Sequence, residues 1–157
     1  MTAATKQTDI RVAEQLLGLL PRLGQLWAEA VRNTNGGSVV RMKVLGMLSR
    51  NGPTRSGEVA TFCGTTPSAV TELIEGLVAD GYARRDADPT DRRAVLIAIT
   101  PTGQTEVDRV VAAATANIIR FLDGLTVDQR ARLRAAVADL SEIFTTSSAQ
   151  KETRSVR

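Results

Sequence analysis

Residues 81–103 read GYARRDADPTDRRAVLIAITPTG. Two short segments, Tyr82–Asp86 and Ala94–Thr100, flank an Asp-Pro turn whose tip ends in Asp91-Arg92-Arg93, and this layout predicts a β-hairpin. Proline fixes φ and an aspartate side chain bonds its own backbone, so Asp88-Pro89 presets the turn. A ribbon of two short strands is marginal in water and must lean on a neighbouring element.

The residues before it supply that neighbour. Thr66-Pro67-Ser68 predicts a helix start, with a capping hydroxyl and proline at the first helical position. Val70, Leu73, Ile74, Leu77 and Val78 then form an apolar face and Gly81 ends the helix. Opposite that face lie Ser68, Ala69, Thr71, Glu72 and Glu75. Ahead of it, Ser56 begins a short helix, Gly57–Phe62, with Val59, Ala60 and Phe62 toward the core. It is followed by the turn Cys63-Gly64-Thr65-Thr66. Earlier still, Ser38 caps a helix with Val40, Val44, Leu45 and Leu48 inward, which Asn51-Gly52-Pro53 terminates.

A helix-turn-helix followed by a basic-tipped hairpin is a winged helix, and the target such a unit suits is duplex DNA. The N-terminal residues of a recognition helix reach base edges, where small hydroxylated or methyl-bearing side chains fit thymine methyls. The helix N-terminus also offers free amides to phosphate. Ser68 reads equally well as a plain capping residue, whereas Thr71 lowers helix propensity and favours the functional reading.

Outward from this centre, Asp9 is the expected N-cap of a first helix after a polar start at Met1–Thr8. Its stripe runs through Ile10, Ala13, Leu17, Leu20, Leu23, Trp27 and Val31, with Leu16, Leu19 and Leu26 on other faces. Pro21 removes a hydrogen bond and predicts a bend or a split. Asn33-Thr34-Asn35-Gly36-Gly37 is a break. After the hairpin, Thr100-Pro101-Thr102-Gly103 leads into a long helix through Val107, Val110, Val111, Ala114, Ile118, Phe121 and Leu122, ending at Asp123-Gly124. Thr126 and Gln129 fit a capping box for a last helix carrying Leu133, Val137, Leu140, Ile143 and Phe144, with fraying expected from Thr145. The apolar surface of these terminal helices exceeds what one intramolecular neighbour needs, which points to a second copy of the chain.

The resulting expectation is a mainly α fold: a winged helix-turn-helix DNA-binding region at 38–101, dimerisation helices at 9–32 and 102–146, and a polar tail at 147–157. A chain of 157 residues can bury a sizeable core, and with 3% aromatic residues that core is aliphatic. No apolar run reaches the roughly eighteen residues of a membrane span, and the start lacks a basic and then apolar leader, so the expected location is the cytoplasm. The single Cys63 allows no internal disulfide; beside Phe62 it reads first as a small apolar core residue and second as a redox site. The isoelectric point is near 9.6. Yet the tail, with Lys151, Arg154 and Arg157 against Glu152, holds two of the three net positive charges, so local distribution must carry the electrostatics. Ala30 to Gly57 holds Arg32, Arg41, Lys43, Arg50 and Arg55 with no acid, whereas Glu58 to Asp91 holds seven acids against Arg84 and Arg85.

These residues together resemble the MarR family of bacterial transcriptional regulators. The resemblance rests on the segment Gly64-Thr65-Thr66-Pro67-Ser68-Ala69-Val70-Thr71 and above all on Asp91-Arg92-Arg93 followed by alternating apolar residues into Ile99-Thr100-Pro101-Thr102-Gly103. It covers Asp9 to Phe144. It implies a two-fold symmetric homodimer with one recognition helix per subunit in the major groove and one wing toward the minor groove. It also implies release of DNA when a small aromatic or phenolic anion binds. Carried over by position, Thr65, Thr66, Ser68, Ala69, Thr71 and Glu72 face bases or nearby phosphates. Arg93 is the wing arginine, with Asp91 orienting it and Arg92 beside it. Ser38 and Arg55 touch phosphate. Trp27 with Met42 or Met47 are the candidates for an effector pocket, against the plainer reading that they are core.

One departure from the family pattern is that Thr66 to Asp80 carries no basic residue. Glu72 and Glu75 oppose phosphates unless one accepts from a cytosine amino group. Arg92 and Arg93 could pair with Asp88 and Asp91 as solvated charges. Behind a helix-turn-helix, the narrow minor groove is the better reading. The alternative function is a winged-helix protein-interaction module with weak or lost DNA binding. With no histidine, no phosphate-cradling glycine loop and no spaced nucleophile and base, the sequence assembles neither a catalytic centre nor a metal or cofactor site.

Overall fold

The computed structural model describes residues 3–32, 38–91 and 94–155, with side chains over 7–32, 38–91 and 94–145. Among these residues there are six helices and three strands: α1 (Ala3–Arg32), α2 (Val39–Asn51), β1 (Thr54–Arg55), α3 (Ser56–Cys63), α4 (Pro67–Ala79), β2 (Ala83–Ala87), β3 (Val95–Ile99), α5 (Pro101–Asp123) and α6 (Val127–Ser155). The expected break at 33–37 lies outside the described residues. The chain divides into two compact units, 1–117 and 118–157.

In the first unit the expected hairpin is present, as β2 and β3 paired antiparallel from Ala83 opposite Ile99 to Ala87 opposite Val95. The sequence did not disclose the third strand. Thr54 and Arg55 pair antiparallel with Ile97 and Leu96, which makes β3 the central strand of the order β1-β3-β2. Two residues carry no period that could announce a strand.

The core gathers Ala30 and Val31 from α1, Met42, Val44, Leu45, Met47 and Leu48 from α2, and Val59 and Ala60 from α3. Val70, Ile74 and Leu77 from α4, Ile97 from β3 and Val110 from α5 complete its centre. Two residues expected to point inward do not. Val40 is 50% exposed, because the α2 stripe that meets the core is centred on Met42, Leu45 and Met47. Phe62 is also exposed, at the end of an eight-residue helix, and Lys43 Nζ lies 5.0 Å from its ring centroid. Cys63 is half-buried against the core, in keeping with the apolar reading.

The helix ends follow local chemistry. Ser38 Oγ accepts from Arg41 N at 3.5 Å. Gly64, at φ 63°, gives α3 a left-handed C-terminus whose amide reaches Thr61 O. Helix α1 starts at Ala3, six residues ahead of the expected cap at Asp9, and runs unsplit through Pro21. In the second unit α5 stops at Asp123 and α6 begins with the expected capping box. There Gln129 N donates to Thr126 Oγ1 at 3.2 Å and Thr126 N to Gln129 Oε1 at 3.0 Å. Helix α6 continues to Ser155, past the fraying expected from Thr145.

Candidate nucleic-acid interface

The turn after α3 and the start of α4 build the surface from backbone upward. Pro67 occupies the first helical turn and Thr66 is the N-cap, accepting from Ala69 N at 3.4 Å. Thr66 Oγ1 and Ser68 Oγ lie 3.1 Å apart, and Thr71 Oγ1 donates to Pro67 O at 3.0 Å. Val70, Ile74 and Leu77 bury one face of α4, so Thr65, Thr66, Ser68, Ala69, Thr71, Glu72 and Glu75 are all exposed. Six of the expected site residues therefore share the outward N-terminal end of one helix.

The other end of α4 is fastened to α2. Arg41 donates to Gly76 O at 3.3 Å and pairs with Asp80. Arg41 was legible in the sequence only as one charge of a basic segment, and its acid partner stands 39 positions away. It ties the C-terminal end of α4 to α2.

The wing is anchored at its base by Asp88. Its Oδ1 accepts from Thr90 N at 2.8 Å and Thr90 Oγ1 at 2.6 Å. Its Oδ2 accepts from Arg55 Nε at 2.8 Å and Nη2 at 2.5 Å. The Thr90 side chain and amide, and then the Arg55 guanidinium, hold the carboxyl at about 2 against an ordinary 3.8. Arg55 is raised in turn, first by its hydrogen bond to Asp88 and then by that charge. Arg55 stands on β1 directly before α3, as expected, with two of its nitrogens on Asp88, and its side chain remains 45% exposed. Asp91 is exposed at the tip, its carbonyl accepting from Ala94 N at 2.9 Å. Arg92 and Arg93 lie outside the described residues, and with them the expected pairing of Asp91 with Arg93. Ser38 serves as the α2 cap and is half-buried.

The three effector-pocket candidates separate. Trp27 and Met42 line a cleft of about 280 Å³ with Val39, Lys43, Gly46, Arg50, Val107 and Val111. Met47 does not line it and sits in the core at 2% exposure. No described group of three or more His, Cys, Asp or Glu side chains could hold a metal ion.

A recognition helix behind a left-handed turn, followed by an anchored antiparallel wing, defines a winged helix-turn-helix protein. The sequence profile of the MarR family matches residues 38–94, which span α2 to the far side of the wing tip. The HTH-type transcriptional repressor MdtR of Bacillus subtilis is 26% identical over 119 residues, 76% of this chain and 77% of that protein. The HTH-type transcriptional regulator YcgE of the same organism is 32% identical over 87 residues, covering 55% of this chain and 56% of its own length. Among solved structures, the transcriptional regulator Tm0710 of Thermotoga maritima superposes with a TM-score of 0.73 at 24% identity, over 91% of this chain and 98% of that one. Over residues 38–94 the chain is similar to the MarR family, and it is a DNA-binding transcriptional regulator.

Proposed function

We propose that the protein is a ligand-responsive repressor that binds a pseudo-palindromic operator as a homodimer in the cytoplasm. The observation that carries this reading is the outward N-terminal end of α4, where hydroxyl and methyl side chains surround the helix start and nothing in the described unit covers them. Two such helices, about 34 Å apart in a dimer, read half-sites one helical turn apart. Both compact units leave apolar side chains exposed, Leu17, Leu20 and Leu23 in one and Ile143 and Phe144 in the other, and a second chain accounts for that surface. No described helix is long and apolar enough to cross a membrane. MdtR is named a repressor, which supports the direction of control.

The Trp27 cleft supports ligand response. Its apolar wall carries Lys43 and Arg50, a combination that suits a small aromatic or phenolic anion. Such a ligand releases DNA when it binds a dimer whose recognition helices are mis-spaced more tightly than the DNA-competent one.

Fluorescence anisotropy against a duplex from the protein's own promoter region, over several salt concentrations and beside a scrambled duplex, tests the reading. Selective binding whose affinity falls steeply with salt is expected. Arg93→Ala should weaken it on every duplex, as loss of a wing contact does. Equal, weak binding to both duplexes contradicts a repressor of that operator. The second reading, a winged-helix module that binds protein, draws on exposed Glu72 and Glu75 and the absence of a basic residue from Thr66 to Asp80. In that case Arg93→Ala leaves the partner bound.

A further inference from the structure

A second cleft, of about 390 Å³, lies at the start of α5 and is lined by Tyr82, Pro101, Thr102, Thr105, Glu106 and Arg109. It shares no lining residue with the Trp27 cleft and none with the outward end of α4. Its unusual member is Glu106, whose side chain is only 4% exposed while that of Arg109 is 54% exposed. Arg109 Nη1 donates to Glu106 Oε2 at 2.8 Å. The other oxygen, Oε1, is buried with no hydrogen-bond partner among the described residues. A buried acceptor with no donor carries its full desolvation cost, so a group that brings a donor to it is favoured. Thr105 does not supply one, since its hydroxyl donates to Pro101 O at 3.0 Å.

We propose that this cleft binds a small organic cation, a protonated amine on a compact apolar body, whose ammonium donates to Glu106. Three features select that chemistry. A carboxylate makes its strongest hydrogen bonds to charged donors. Tyr82 and Pro101 both line the cleft and bring apolar carbon to it, and aromatic faces attract cations. Arg109 is the exchangeable partner: already half in solvent, it rehydrates readily when an ammonium, with three donors, takes both carboxylate oxygens, and the charge of the pair is unchanged. The volume accommodates a single-ring amine at the small end of ligand pockets.

Tyr82 is the only tyrosine and Trp27 the only tryptophan, so each cleft has its own reporter. The full chain, isotopically labelled on its aromatic rings, is titrated with benzylammonium chloride and followed by NMR. The expected result is a saturable shift of the Tyr82 ring with Trp27 unmoved, and at least tenfold weaker binding of benzyl alcohol. Glu106→Gln should lower amine affinity at least tenfold, and Arg109→Ala, which removes the competing cation, should raise it severalfold. A Tyr82 ring that does not move, equal affinity for the alcohol, or Glu106→Gln binding as well as the parent each overturns the site. If Glu106→Gln fails to fold, Arg109→Ala decides, and no gain there overturns it. The readout involves no DNA, so its failure is distinct from failure of operator binding.

Discussion

A methyl group on Gly103 would lie 2.1 Å from the Tyr82 carbonyl oxygen and 2.9 Å from Ile99 Cγ1. The preceding Thr100 holds this corner together: its hydroxyl donates to Gly81 O at 2.6 Å and accepts from Gly103 N at 3.0 Å. The Thr-Pro-Thr-Gly stretch thus brings the first turn of α5 onto the backbone that ends α4. Gly103→Ala is expected to destabilise the protein by about 3 kcal/mol in urea unfolding, since backbone must move to admit it. Gly76→Ala is the control. It lies inside α4 with nothing within 4 Å of an added methyl, and should stabilise by about 0.5–1 kcal/mol.

Asp88 gives a residue-level prediction with a sign. Its carboxyl titrates near 3.8 when unfolded and about 2 when folded, so its stabilising contribution is complete above the first value and lost as pH falls through the second. Asp88→Asn should therefore be less stable than the parent at neutral pH, with the gap closing between about pH 4 and pH 2. Urea unfolding across that range measures it, and a gap unchanged down to pH 2 contradicts the assignment.

At the scale of elements, the capping box at α6 is a local device and its loss should be local in size. Thr126→Ala is expected to cost about 1 kcal/mol, read in the same unfolding assay. This box, the hairpin and the start of α4 were legible because each is specified within a few residues by turn or capping chemistry. Helix lengths were less so. Residues 3–8 and 146–155 contain Ala, Lys, Gln, Glu and Arg, which favour helix without any apolar period to mark it. The outward residues of α4 followed from the buried face opposite them. The grip of Arg41 on α4 and of Arg55 on Asp88 did not, because each joins residues more than thirty positions apart whose meeting depends on packing. The cleft around Glu106 was equally silent in the sequence, where a glutamate on a helix reads as solvent-facing.

At the scale of the whole molecule, apolar exposure is the quantity that the proposed dimer removes. Leu17 and Leu20 on α1 are 64% and 61% exposed. Replacing both with glutamate should leave a folded but monomeric chain in sedimentation velocity, with operator affinity reduced at least a hundredfold, because one half-site no longer helps the other. A double variant that still sediments as a dimer places the interface elsewhere.

The two-residue strand β1 also has a mechanical consequence. It runs directly into α3 and pairs with the central strand of the wing, while Arg55 on it holds the wing base through Asp88. The α3 start and the hairpin are thereby stitched into one part, and neither can swivel without carrying the other. In the proposed dimer such parts form a pair of calipers: the proposed effector would change how far apart the jaws stand, and leave the shape of each jaw alone.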